Sequence, residues 1–136
     1  MMSDKTRKMK IRGDYGENAA AEYLKRHGYK ILNRNWRCRY GELDIIASDG
    51  NIICFVEVKT RIWNKYASRN WEITPRDAVG YRKRERLKQT ALLWLDAWRG
   101  ENPGRDEIPA RFDIIEIYLN QNDKINQINY IINAFE

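Results

Sequence analysis

Three things are scarce in this chain, and each scarcity removes a class of function. Only two cysteines occur among 136 residues, Cys38 and Cys54. Their spacing matches neither a zinc-ligand pattern nor a disulfide framework. Cys54 falls in an apolar run and reads as a small core residue. Histidine occurs once, as His27, just before Gly28 at an expected helix end. There it is better placed to meet the last carbonyls than to act in catalysis. Histidine-based triads and zinc hydrolase chemistry lose their support with it. Long apolar runs are also missing. No stretch approaches the roughly 18 uncharged residues of a membrane span, and no apolar segment follows the basic N-terminus as a secretory signal requires. The expectation is no membrane role, with cytoplasm as the default compartment.

Acid is in short supply beside base: 19 acidic against 25 basic residues give a net charge of +6 and a pI near 9.4. The excess is uneven. Lys5, Arg7, Lys8, Lys10 and Arg12 face one acid, Asp4, near the start. Arg82, Lys83, Arg84, Arg86 and Lys88 surround Glu85. Aromatic and basic residues interleave in Trp36, Arg37, Arg39 and Tyr40, and again in Trp63, Lys65, Tyr66, Arg69 and Trp71. A basic domain of this kind suits a polyanionic partner such as nucleic acid. A moderately basic protein with no such partner has the same composition.

The length suits one domain with a real core. Residues 1–12 read as a flexible basic tail and 13–136 as a single domain. Gly16, Ala19, Ala20, Tyr23 and Leu24 recur at helical spacing, which predicts a helix over Gly13–His27. Strands are expected over Lys30–Arg37, Glu42–Ser48 and Asn51–Thr60, the last two joined by the hairpin signal Asp49-Gly50. Residues 61–76 read as a loop, with Trp63 and Trp71 as base-stacking candidates. A long helix is expected over Asp77–Trp98, with Leu87, Ala91, Trp94, Leu95 and Trp98 on its apolar stripe. Two strands, Arg111–Leu119 and Ile125–Ile132, complete the chain. The order predicts an α/β sandwich with a mixed β-sheet of about five strands flanked by helices.

The chemistry concentrates in Phe55-Val56-Glu57-Val58-Lys59-Thr60-Arg61. A strand has a side-chain period of two, so Glu57 and Lys59 share a face about 6.6 Å apart along it. Charges in an otherwise apolar strand are costly to desolvate and need a reason. Asp44 lies about as far before the Asp49-Gly50 turn as Glu57 lies after it, so the two acids can sit nearly opposite each other. Asp44 is expected to share a face with Glu42 and Ile46, with Leu43, Ile45 and Ala47 on the other. Two carboxylates, with water and phosphate filling the remaining positions, suit Mg²⁺. Lys59 could orient the attacking water or stabilise developing charge, Glu17 is a candidate third acid on the first helix, and Lys83 could contact a phosphate.

Each residue also has an ordinary reading. Glu57 and Lys59 could be a surface ion pair, Asp44 a partner of Arg37 or Arg39, and Glu17 a solvated helix residue. The run Arg82–Lys88 reads equally as a solvated helix face or as a phosphate contact. Arg37 and Arg39 fit a nucleic-acid backbone and a surface ion pair equally well.

The motifs Gly16-Glu17, Ala20, Tyr23-Leu24, Gly28-Tyr29, Ile31-Leu32, Asn35, Arg37-Cys38-Arg39, Gly41-Glu42-Leu43-Asp44-Ile45-Ile46, Asp49-Gly50 and Phe55-Val56-Glu57-Val58-Lys59-Thr60-Arg61 resemble the UPF0102 (YraN-like) family. Lys83, Arg86-Leu87, Ala91, Arg111-Phe112-Asp113 and Asn133-Ala134-Phe135 extend the resemblance to the C-terminus. It implies a restriction-endonuclease-like fold of the PD-(D/E)xK superfamily, related to archaeal Holliday junction resolvases. The superfamily's metal-site roles would fall on Glu17, Asp44, Glu57 and Lys59, with Mg²⁺ or Mn²⁺ as cofactor. Arg37, Arg39, Arg61, Lys83 and Arg84 would contact nucleic acid. The chain departs from the superfamily pattern at Leu43, where its name has proline. The implied function is a structure-selective DNA endonuclease acting on branched substrates. Related resolvases are dimers, which leaves a homodimer open. The alternative is a non-catalytic nucleic-acid-binding or protein-interaction module that keeps the fold.

Overall fold

The computed structural model describes residues 2–62, 80–105 and 107–135. Trp63, Lys65, Tyr66, Arg69, Trp71, Pro75 and the expected helix start at Asp77 lie outside the described residues.

Among the described residues seven elements follow in order: α1 (Asp4–Arg26), β1 (Lys30–Cys38), β2 (Gly41–Ser48), β3 (Ile53–Ile62), α2 (Tyr81–Glu101), β4 (Ala110–Leu119) and β5 (Ile125–Phe135). The strands form one mixed sheet in the order β1-β2-β3-β4-β5. Only β3 and β4 run parallel, and every other neighbouring pair is antiparallel. The parallel pair lies near the sheet's centre and is covered on both faces. The side chains of Ile45, Ala47, Cys54, Val56, Ile115 and Ile117 pack under Ala20, Ala21 and Leu24 of α1. On the other face Leu43, Ile46, Ile53, Phe55 and Ile114 pack under Leu87, Ala91, Trp94 and Leu95 of α2. The α/β class, the five strands and the element order are those expected from the sequence.

The expected tail over residues 1–12 is corrected: α1 is helical from Asp4. Ser3 caps it, its hydroxyl accepting from the Thr6 backbone N–H at 3.2 Å, and Asp4 sits in the first turn. Both favour a helix start, the second through the helix dipole. The first turns bury no apolar stripe, since Met9 and Ile11 are exposed, which is why periodicity alone places the start too late. At the other end His27 behaves as expected. Its Nδ1 lies 2.7 Å from the Tyr23 carbonyl oxygen, and Gly28 takes φ +86°.

The helix comes into direct contact with β3 at Gly16. A Cβ there would lie 1.9 Å from Thr60 Oγ1. Gly16→Ala is therefore expected to lower stability by about 1–3 kcal/mol through overpacking. Urea unfolding measures it, and an unchanged midpoint would mean that the helix moves aside at no cost.

Alternation along β2 departs from the expected pattern. Leu43 and Ile46 face α2, while Ile45 and Ala47 face α1. The period of two thus breaks at Asp44, which lines the α1-side groove and does not share a face with Ile46. Its neighbour in β1, Asn35, takes φ +52°. Asparagine tolerates this left-handed conformation better than most residues. Both strands are irregular at the same level, and the irregularity is what turns Asp44.

Candidate functional site

Pairing between β2 and β3 runs from Ser48↔Ile53 to Ile45↔Val56 and stops there. The next residues in register would be Asp44 and Glu57. The strands part instead, and Asp44 Oδ2 accepts a hydrogen bond from the Val58 N–H at 2.9 Å. The carboxylate takes the place of the missing strand partner. Burial, then the charge of Glu57, with smaller contributions from Glu17 and Glu42, pushes the Asp44 carboxyl up to about 7 against the pull of the Val58 hydrogen bond. This is the perturbation that desolvation plus like charge produces.

Glu57 and Lys59 do share a face, the α2 side. Lys59 Nζ lies 3.8 Å from Glu57 Oε1, and Lys83 Nζ from the first turn of α2 lies 2.9 Å from the same oxygen. The first turn of α2 carries no acid. Arg82, Lys83 and Arg84 there stand against the positive end of the helix dipole, and Glu57 supplies an opposite charge from the sheet. Burial lowers the Lys59 pKa. The charge of Glu57 opposes this, and the Lys83 ammonium adds to it. For Lys83 burial works downward, but Glu57's charge and hydrogen bond outweigh it and the pKa is raised.

Glu17 turns toward the sheet and is largely shielded. Its Oε1 accepts from Arg34 Nη2 at 3.1 Å and Asn35 Nδ2 at 2.8 Å. It lines the same groove as Asp44. The structure thus places Glu57, Lys59 and Lys83 together on the α2 side of the parted strand ends and Asp44 with Glu17 on the α1 side, with Asp44 near enough to Glu57 to feel its charge. The remaining basic candidates are spread out. Arg37 pairs with Glu42 at 3.4 Å, Arg39 lies over the Tyr40 ring, and Arg61 pairs with Glu116 at 3.4 Å. Arg84 Nε is buried with no hydrogen-bond partner among the described residues.

Two features were not singled out from the sequence. The first is the groove between the N-terminal half of α1 and the ends of β2 and β3. It has a volume of about 690 Å³ and is lined by Lys10, Arg12 and Gly13 as well as by Glu17 and Asp44. The exposed cations of α1 are its only advance signal. The second is a buried polar cluster on β4 and β5, where Asp113 pairs in register with Val56 of β3. Asp113, with no solvent exposure, accepts from Arg111 Nε at 2.9 Å, from the Tyr130 hydroxyl and from the Asn133 N–H at 2.8 Å. Arg111 Nη2 donates onward to the Tyr29 hydroxyl at 2.9 Å. Nearby Cys54 is fully buried, as expected, and burial, then Asp113's charge, pushes its thiol up to about 12.

The donor set at the parted strands bears on a metal. Among the described residues no group of three or more His, Cys, Asp or Glu side chains is arranged to hold an ion. Asp44 and Glu57 offer carboxylate oxygen only. Such a set suits a hard divalent cation that keeps several waters, as Mg²⁺ does, and not zinc. Asp44 is half-buried and hydrogen-bonded only by one backbone N–H among the contacts described, near a second carboxylate. It is a group that a dication would stabilise. A carboxylate pair completed by waters is a donor set that Mg²⁺ or Mn²⁺ accepts.

The molecule is therefore an α/β protein with a mixed five-stranded sheet and a carboxylate–lysine site at a fork in that sheet. Its chain belongs to the uncharacterised protein family UPF0102, whose sequence pattern matches residues 16–117. It is 42% identical over 123 residues to a UPF0102 protein of Caldicellulosiruptor saccharolyticus, covering 90% of this chain and 95% of the other. It is 44% identical over 124 residues to a UPF0102 protein of Geobacter metallireducens, covering 91% of each. Among solved structures, Pyrococcus furiosus SfsA in complex with Ca²⁺ aligns with 90% of this chain and 62% of its own, at 14% identity and a TM-score of 0.37. No helix among the described residues is long and apolar enough to cross a membrane.

Proposed function

We propose that the protein is a Mg²⁺-dependent, structure-selective DNA endonuclease of the restriction-endonuclease-like class, acting on branched substrates as a Holliday junction resolvase does. The observation that supports this most directly is the meeting of Asp44, Glu57 and Lys59 where β2 and β3 part. Asp44 and Glu57 would hold the ion, and Glu17 would add negative charge from the α1 side. Bound there, Mg²⁺ would lower the pKa of a bound water and offset charge on the scissile phosphate. Lys59, half-buried beside the carboxylates, would orient that water by hydrogen bonding or meet charge developing on the phosphate. The hydrogen bond from the Val58 N–H fixes one oxygen of Asp44, so the carboxylate needs no reorganisation when substrate arrives.

Cleavage of labelled junction, flap and linear DNA in Mg²⁺ or Mn²⁺ tests this. Asp44→Asn and Lys59→Ala are each expected to slow cleavage by at least ~100-fold, the usual scale for losing a positioned proton-transfer or charge-stabilising group. A natural chain that cuts no substrate, or variants that cut at its rate, would end the proposal.

One observation favours a second reading, a nucleic-acid-binding module without turnover. Lys83 and Lys59 already neutralise Glu57, and a self-paired acid does not require a metal. Salt-dependent DNA binding that is indifferent to Mg²⁺ would support it.

A further inference from the structure

We infer that the groove between α1 and the parted strands seats a single nucleic-acid strand, which crosses the backbone of α1 at Gly13 and presents a phosphate to Asp44. The inference rests on the nuclease reading for what lies at the groove's end, but the groove itself makes the case for a strand.

Its volume of about 690 Å³ falls in the range of pockets that enclose a drug-sized ligand. That is room for a short length of one backbone and not for a duplex. Among its described lining residues Lys10, Arg12, Arg37 and Arg61 stand with Asp14, Glu17, Glu42 and Asp44. Lys10, Asp14 and Arg37 are the exposed members of its ion pairs, at 64%, 67% and 76% of their side-chain surface, and Glu17 and Asp44 are half-buried. Lys10 pairs with Asp14 at 3.5 Å and Arg37 with Glu42 at 3.4 Å. Exposed pairs of this kind contribute little and exchange readily for a phosphate. The described residues that line the groove offer charged groups for a phosphate backbone.

Gly13 supplies the independent observation. It lies inside a 23-residue helix and lines the groove. Its φ is not positive, and a Cβ built there meets nothing within 4 Å among the described residues. Gly16, one turn later, has Thr60 against it and cannot carry a side chain. Gly13 has no such neighbour, yet glycine destabilises a helix interior relative to alanine. Nothing among the described residues repays that cost. A ligand backbone lying against the helix does, because only glycine admits so close an approach.

The test is fluorescence anisotropy with a labelled oligothymidylate and a duplex of equal length, in buffer containing Ca²⁺. Gly13→Leu is expected to keep or raise the melting temperature while weakening single-strand binding at least ~10-fold. Gly13→Ala should fall between it and the natural chain. The double variant Lys10→Gln/Arg37→Gln should also bind at least ~10-fold more weakly, with the salt slope reduced by about 1–2 as two phosphate contacts are lost. Should Gly13→Leu fail to fold, the double variant decides. Natural affinity in Gly13→Leu, natural affinity in the double variant, or no single-strand binding at low salt overturns the inference. A natural chain that binds through the groove yet never cleaves keeps this inference and ends the nuclease reading. Cleavage by the natural chain, with Gly13→Leu binding and cutting equally well, does the reverse.

Discussion

Asp44→Asn is expected to unfold at higher urea than the natural chain at pH 8 and at the same urea near pH 4. The sign follows from proton counting. The folded-state pKa of Asp44 stands at about 7, above the unfolded value of about 3.9. Between those values the folded protein binds more protons than the unfolded chain, so natural stability falls as pH rises through that window. Below it the carboxyl is protonated in both states, and the variant gains nothing. Above it the natural chain keeps a buried charge beside Glu57 that the variant lacks. Each pKa unit is worth 1.36 kcal/mol, so the ceiling is about 4 kcal/mol; solvent reaching the group cuts the expected gain to about 2 kcal/mol. Asparagine keeps an oxygen for the Val58 N–H, so the difference isolates charge. Urea titrations across pH 4–8 measure it. Parallel pH profiles for the two proteins would remove Asp44 as a strained acid. Stability gained together with cleavage lost would mark it as a group kept at the fold's expense.

Asp113→Ala is expected to cost about 3–5 kcal/mol, the scale for breaking a buried ion pair from one side. It strands Arg111 Nε, the Tyr130 hydroxyl and the Asn133 N–H together. These groups come from β4 and β5, and Tyr29 joins them from just after α1. Replacing both charges, Arg111→Met with Asp113→Leu, should recover part of the loss, because no charge is then left unpaired. Chemical denaturation of the three variants gives the comparison. A single variant within 1 kcal/mol of the natural chain would mean that water satisfies the cluster.

The elements whose signals are local were legible in the chain. Apolar periodicity marks α1 from Gly16 onward and α2 through Leu87, Ala91, Trp94 and Leu95. The Asp49-Gly50 turn fixes the β2–β3 hairpin, where Gly50 takes φ +99°. From that hairpin the approach of Asp44 to Glu57 could be read. The face of Asp44 could not. Alternation was assumed through Leu43-Asp44-Ile45, and the strands break it there because Asp44 bonds the Val58 backbone in place of continued pairing. The left-handed Asn35 opposite is set by tertiary contact with Glu17 and has only a weak signature in one residue. The helical start of α1 was missed because its signal is a cap, Ser3, and not a stripe. The role of Lys83 was half legible: its place before Leu87 showed the direction, while its bond to Glu57 depends on how α2 packs.

The sheet's single parallel junction has a kinetic consequence. Asp44 and Glu57 meet through a hairpin closed by a tight turn, whereas β3 is completed by pairs as distant in sequence as Ile53 and Ala110. Contacts between residues close along the chain form early, and distant ones form only after the entropy of closing a long loop is met. During folding, then, the acidic fork can take shape in an antiparallel hairpin before β4 covers its flank. The folding order that topology dictates exposes the strand carrying Glu57 and Lys59 to water until the sheet closes around it.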